Sequence, residues 1–205
     1  MATIREYRAA ARTMYGHEAG NFIYDTLEWA ADAAFGGRVT AARPVILAPV
    51  EMGPYNRHAG WYGPRQLGQP GPILVNRHHV AVNVDDWFAV TSPDSLRDTL
   101  VHELTHAYQH EVVMVRDGGD KTLDPTRGPH RCRSWYEAVA TAAPAVLGVE
   151  IPAECWPLKK SARRNGKVVK IIPEGTVSEV EMTHWPGSIR CALQDGTLNL
   201  PRCSP

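Results

Sequence analysis

Two histidines and a glutamate occupy the segment His102-Glu103-Leu104-Thr105-His106 at a spacing that suits a metal site. On an α-helix, residues four apart lie on the same face, one turn apart. His102 and His106 could therefore each offer an imidazole nitrogen to one Zn²⁺, at the roughly 2.0–2.1 Å of such bonds. Glu103 would stand beside the metal, where it could act as general base towards a metal-bound water. The segment predicts a zinc-dependent hydrolytic site with Glu103 as its catalytic residue.

The surrounding sequence predicts the helix that this arrangement needs. Ser92 can cap the helix and Pro93 can occupy its first position. Apolar residues then recur at three- and four-residue steps, the spacing that buries one stripe of a helix: Leu96, Leu100, Val101, Leu104 and Tyr108. The helix is predicted to continue to about Met114, because nothing interrupts it before Asp117-Gly118-Gly119.

A catalytic zinc takes three protein ligands and keeps a position open for water, so two imidazoles do not complete the site. His110 is excluded as the third, because at 1.5 Å per residue its Cα lies about 12 Å beyond that of His102 along the helix axis. The Gly and third His that the metzincin pattern places after the motif are absent. Two candidates remain downstream, His130 and Glu137, and zinc accepts both kinds of side chain.

The residues around the motif resemble the SprT-like metallopeptidase domain, the family that includes Spartan. Leu96–Ala107 carries an apolar residue and a Thr-Leu pair before H-E-x-x-H-A, as the family does. In the family, a third zinc histidine follows in a P-H-G or G-H-G context, with a bulky aromatic residue four positions later. Gly128-Pro129-His130 is similar, although Arg131 replaces the family's Gly and Trp135 lies five positions on. The resemblance favours His130 over Glu137.

The resemblance covers about residues 20–148 and implies an architecture and an activity. Ala59–Tyr62, Ile73 and Val80–Val84 are similar to the family strands that lead into the motif helix. The implied fold class is α+β, a zincin-like metallopeptidase domain in which three histidines hold Zn²⁺. Family members act on proteins bound or crosslinked to DNA, so the implied substrate is a DNA-associated protein.

The remaining elements of the N-terminal part are predicted from periodicity and turn signals. Residues 4–15 form a helix that ends near Gly16, and residues 18–35 form a second that ends at Gly36-Gly37. Short apolar or alternating runs predict strands at Pro44–Val50, Gly60–Tyr62, Ile73–Val75 and His79–Val84. Ser134–Leu147 is predicted to form a further helix after the motif helix and its following loop.

Residues 1–155 are interpreted as the peptidase domain and residues 156–205 as a small, antiparallel, β-rich C-terminal extension. Asn165-Gly166 is a strong signal for a two-residue hairpin turn. Thr176–Met182 is expected to follow as extended chain. Gln194–Thr197 suggests a second hairpin.

Positive charge is concentrated in the extension. Residues 1–155 hold 14 Lys/Arg and 18 Asp/Glu, a net of −4, whereas residues 156–205 hold 8 and 4, a net of +4. Four cations lie close to the first turn: Lys159, Lys160, Arg163 and Arg164. They could contact DNA phosphates, which gives affinity without sequence preference. A solvated hairpin with no partner fits the same composition.

The sequence leaves the class of function partly open. One alternative is a gluzincin-like peptidase with Glu137 as third ligand and no connection to DNA. Another is a non-catalytic zinc-containing protein that binds nucleic acid or a partner. Tyr62, Tyr136 and His184 are candidate donors to the oxyanion of a peptidase.

The location and assembly are predicted from absent signals. The four cysteines form no C-x-x-C pair. The N-terminus lacks the apolar region of a signal peptide, and no run approaches the ~20 apolar residues of a membrane helix. A cytoplasmic location is therefore expected, and the oligomeric state is left open.

Overall fold

The structure, a computed structural model, describes residues 2–48, 60–76, 93–119, 129–152, 160–164, 167–171 and 176–203. The chain divides into two compact units, Met1–Gly119 and Asp120–Pro205. None of the helices in the described ranges combines the length and apolar character that crossing a membrane requires. The domain division that the sequence predicts, at 155/156, stays a prediction.

The first unit opens with two helices, as the sequence predicts. Helix α1 spans Ile4–Tyr15, and Thr3 caps it in a reciprocal arrangement with Glu6. Helix α2 spans His17–Trp29 and continues as a π-helical turn over Ala30–Ala34. The apolar face of α2 and its π-helical turn is buried, as the 3.6-residue period of apolar residues predicts. The residues of this face are at most 5% exposed: Ile23, Leu27, Ala30, Ala31 and Ala34.

Three short strands follow: β1 (Val45–Ala48), β2 (Gly60–Tyr62) and β3 (Ile73–Asn76). Strand β3 lies in the middle, parallel to β1 and antiparallel to β2. One face of this sheet is buried, through Val45, Leu47, Tyr62, Ile73 and Val75. The three predicted strands are therefore confirmed within these bounds. The fourth, at His79–Val84, lies outside the described residues.

The motif helix, α3, spans Pro93–Tyr108, so Pro93 is its first residue as predicted. Ser92, the predicted cap, lies outside the described residues. Each member of the predicted apolar stripe is at most 2% exposed. The helix continues as a π-helical turn over Gln109–Val113 and a last α-helical turn over Met114–Arg116. Gly118 and Gly119 follow with φ of 67° and 102°, and this left-handed backbone ends the helix.

A buried ion pair joins the end of this helix to the sheet. The two terminal nitrogens of the Arg43 guanidinium group donate to the Glu111 carboxylate, at 2.8 and 3.0 Å. Tyr62 on β2 donates its hydroxyl to the same carboxylate at 2.8 Å. Arg43 is 0% exposed, and its remaining donors reach the carbonyl oxygens of Thr40 and Gly71. Removing one partner of such a buried pair typically costs about 3–5 kcal/mol, so this network fixes β2 against the helix.

In the described part of the second unit, the first elements are a 3₁₀ turn at Pro129–Arg131 and helix α4, Arg133–Leu147. The predicted helix at Ser134–Leu147 is confirmed. A hairpin of β4 (Lys160–Arg164) and β5 (Lys167–Ile171) follows. Arg164 pairs with Lys167, so two residues connect the strands, as Asn165-Gly166 predicts.

The rest of the predicted β-rich extension is wrong. Residues 179–182, expected to be extended, lie in helix α5 (Glu179–Thr183). Gln194, expected to begin a second hairpin, is instead the last residue of helix α6 (Gly187–Gln194). The hydroxyl of Ser178 accepts the Glu181 N–H, and the Glu181 carboxylate binds the Ser178 N–H. This capping box is readable in the sequence, and it overrides the β preference of the neighbouring Thr and Val residues. Beyond α6, Asp195 turns the chain through bonds to Thr197.

Candidate metal centre

His102 and His106 lie one turn apart on α3, as their spacing predicts. Their ring centroids are 4.9 Å apart and the ring planes meet at 74°. His106 is buried, with 7% of its surface exposed, whereas His102 is partly exposed. The two imidazoles are thus neighbours at the border between core and surface. That is a suitable place for an ion that must also meet substrate.

His130 lies in the 3₁₀ turn that leads into α4. Trp135 packs edge-on against its ring, with 4.9 Å between centroids. Trp135 is completely buried, so it is a rigid support for that ring. The thiol of Cys132 donates to the carbonyl oxygen of Pro129 at 2.7 Å and closes the turn from the other side.

The structure places the candidate ligands in two different units. His102, His106 and His110 lie in Met1–Gly119, whereas His130 and Glu137 lie in Asp120–Pro205. Glu137 is partly exposed on α4, and His110 lies against the ring of Tyr62, 5.7 Å away. Which of His130 and Glu137 binds a metal stays a prediction.

Glu103 occupies a position suited to a general base. It is 3% exposed, and the backbone N–H of Tyr62 donates to its carboxylate. Its Oε2 atom has no hydrogen-bond partner among the described residues. Burial raises the pKa of Glu103 to about 8, against the opposing effect of the Tyr62 N–H. A buried carboxylate oxygen without a partner is costly, so Oε2 of Glu103 is a place where a water or ligand could bind.

Gly60 on β2 gives this carboxylate its room. A Cβ atom built on Gly60 would lie 2.7 Å from Glu103 Oε1 and 3.0 Å from its Cγ. The first distance is shorter than real Cβ contacts, and the second is tighter than most of them. A side chain at position 60 would require Glu103 or strand β2 to shift, so glycine permits this close approach.

The donor set fits zinc. Neutral imidazole nitrogens are common zinc ligands, and three of them leave a fourth tetrahedral position for water or substrate. The unpartnered oxygen of Glu103 offers a proton acceptor next to the first histidine. In general, three imidazole ligands with an open fourth position are typical of catalytic zinc sites, whereas structural zinc sites are closed by four protein ligands.

Among the candidate oxyanion donors, Tyr62 is engaged elsewhere. Its single hydroxyl proton is donated to Glu111. Burial and the neighbouring Glu111 carboxylate raise the pKa of Tyr62 above its ordinary value, which keeps that proton in place. Its hydroxyl is thus committed to the ion-pair network. Tyr136 is partly exposed on α4, and His184 is exposed just after α5.

Two contacts of the site were not anticipated from the sequence. The side-chain oxygen of Gln109 lies 3.0 Å from His106 Nδ1, although a spacing of three residues on a helix could have indicated it. The close approach of Gly60 to Glu103 carried no sequence signal, because the two residues are 43 positions apart in the chain.

Comparisons of the chain with protein-family models, with curated proteins and with solved structures returned no significant match. A functional assignment therefore depends on the residues and their geometry.

Proposed function

We propose that the chain is a zinc-dependent metallopeptidase of the SprT-like type, in which His102, His106 and His130 hold Zn²⁺. The observation that carries the proposal is the placement of His102, Glu103 and His106 on one regular helix, with the Glu103 carboxylate buried and its Oε2 atom without a partner among the described residues. The spacing of the motif supports it, and the resemblance to the SprT-like family supports His130 as third ligand.

In the proposed mechanism, the three histidines bind the metal and Glu103 transfers the proton. Bound at the three histidines, Zn²⁺ would lower the pKa of a water towards about 7 and polarise the scissile carbonyl. Glu103 takes a proton through its free Oε2 and later passes it to the leaving amine nitrogen. The Tyr62 N–H holds the carboxylate in place. A cation beside Glu103 favours its ionised form and so opposes the effect of burial.

The substrate proposed is a protein, and the resemblance to the SprT-like family suggests a DNA-associated one. A gluzincin-like peptidase with Glu137 as ligand is the competing enzyme. A non-catalytic zinc protein is the competing binding module. The unpartnered oxygen of Glu103 favours an enzyme, because a structural zinc site has no use for a buried free base.

Removal of zinc tests the proposal. Protein treated with a strong chelator and then freed of it is expected to lose proteolysis of an unfolded test protein. About one equivalent of Zn²⁺ per chain should restore it. Circular dichroism spectra before and after treatment serve as the control for folding. Proteolysis by protein shown to be metal-free would contradict the proposal.

The hairpin suggests how the protein reaches DNA. Two of its cations, Arg164 and Lys167, are paired next to the turn, and Lys160 begins β4. Lys159 lies outside the described residues. Arg163, Arg164 and Lys167 are the cationic residues nearest the turn in the sequence, and such residues can contact phosphates, which supports the proposed contact with DNA.

Binding to DNA is expected to weaken steeply as salt rises, because each phosphate contact releases a counterion. Reversal of four charges, Lys159→Glu, Lys160→Glu, Arg163→Glu and Arg164→Glu, should abolish binding and leave the zinc content unchanged. Fluorescence anisotropy with labelled DNA measures both effects. Failure of the unaltered protein to bind DNA at low salt would remove the DNA contact and leave the peptidase untouched.

A further inference from the structure

We propose that Gln109 is the positioning residue for the His106 ligand, a role that rests on the proposed zinc site. Gln109 is completely buried, and its Oε1 lies 3.0 Å from Nδ1 of His106. Both side chains belong to one helix, three residues apart, on the same face. The pair is thus a local contact within the helix that carries the motif.

The direction of this hydrogen bond decides which nitrogen is free for a metal. When Oε1 of Gln109 accepts, Nδ1 of His106 carries the proton and Nε2 keeps its lone pair. The reverse direction, with the amide nitrogen donating to Nδ1, would put the proton on Nε2 and block that atom. A hydrogen bond from Nδ1–H of His106 to Oε1 of Gln109 therefore leaves Nε2 as the ring nitrogen that can bind a metal. A hydrogen bond to the other nitrogen of a ligating histidine also fixes the orientation of the ring.

The surroundings hold Gln109 in place. The π-helical turn begins at Gln109, and two residues later Glu111 binds Arg43 and Tyr62. Such turns occur often at functional sites, because they displace a side chain from its regular helical position. The buried ion pair fixes this turn against the sheet, so the amide cannot drift from the imidazole.

A purely structural role for Gln109 would predict something different. A buried amide costs about 1–3 kcal/mol where its bonds are lost, so an apolar side chain would fill this space more cheaply. The amide supplies an acceptor 3.0 Å from Nδ1 of His106, which an apolar side chain cannot offer, and Nδ1 is the ring nitrogen that a metal bound at Nε2 would leave free. A structural role would make zinc affinity insensitive to replacement by a side chain of equal size.

The experiment measures zinc affinity by competition with a chromogenic chelator. Gln109→Met keeps the length of the side chain and removes the acceptor, and it should weaken affinity by about 10–100-fold. Gln109→Glu restores an acceptor and should bind zinc at least as tightly as the unaltered protein. Thr99→Val is the control, because it removes a different buried polar group from the same helix, a hydroxyl that donates to the carbonyl oxygen of Ser95.

A second readout needs no metal. In the metal-free protein, at a pH where imidazole is neutral, ¹H–¹⁵N correlation spectra should show His106 protonated on Nδ1. That preference should fall in Gln109→Met. This measurement on the unaltered protein also decides the inference if Gln109→Met fails to fold.

The outcomes separate the inference from the proposed function. Zinc binding by the unaltered protein with no loss in Gln109→Met, or a proton on Nε2 of His106, overturns the inference and leaves the peptidase proposal intact. If the unaltered protein binds no zinc, the proposed function fails. The role of Gln109 in holding a metal ligand then fails with it, whatever the spectra show.

Discussion

Glu103→Gln is expected to reduce proteolysis by about 10²–10⁴-fold while the protein keeps its zinc. The amide has nearly the shape of the carboxylate and can still accept the Tyr62 N–H through its oxygen. It has no basic oxygen with which to take a proton from water. Zinc content should stay near one equivalent, because Glu103 is not a ligand in the proposed site. Metal analysis and cleavage of an unfolded test protein measure the two quantities on one preparation.

Glu18→Gln provides the matched control, since Glu18 is exposed in the first turn of α2. It makes the same chemical change far along the chain from the motif, and it should alter neither activity nor zinc. Loss of zinc together with activity in Glu103→Gln would mean that Glu103 holds the metal or the fold. Unchanged activity would contradict the peptidase mechanism altogether.

Local signals in the sequence predicted local structure well. The motif helix was predictable because its apolar stripe, its starting Pro93 and its terminating glycines all act within a few residues. The hairpin was predictable because Asn-Gly favours the backbone twist of a two-residue turn. The prediction of extended chain at α5 was wrong because it rested on the β preference of Thr and Val. The capping box of Ser178 and Glu181, an equally local signal, predicts a helix there.

Contacts between distant parts of the chain could not be predicted. Arg43 and Glu111 are 68 residues apart, and nothing near either residue indicates that they meet. Their pairing depends on how the sheet packs against α3, which is a tertiary property. The role of Gly60 could not be predicted either. A glycine is favoured at this position only because β2 lies beside Glu103 in the folded chain. The motif therefore predicts that Glu103 acts as a general base. It does not predict the contacts of that carboxylate with Gly60 and the Tyr62 N–H.

The third metal ligand is proposed to be His130, with Glu137 as the alternative. The two residues lie in different elements of the second unit. His130 lies in the 3₁₀ turn, and Trp135 packs against its ring. Glu137 lies inside α4, where its carbonyl oxygen accepts the hydroxyl of Thr141. The resemblance to the SprT-like family favours the histidine of the turn, so His130 is the proposed ligand.

His130→Ala is therefore expected to yield largely metal-free, inactive protein, because a site with two imidazoles holds zinc far less tightly than one with three. Glu137→Ala should retain zinc with reduced activity, since loss of a side chain that only supports a ligand costs about 10–100-fold. Glu150→Ala, an exposed change just beyond α4, controls for substitution in this unit. Zinc measured in the three purified variants decides the matter. Metal-free Glu137→Ala beside zinc-loaded His130→Ala would replace the SprT-like proposal with a gluzincin-like one, in which a carboxylate completes the site.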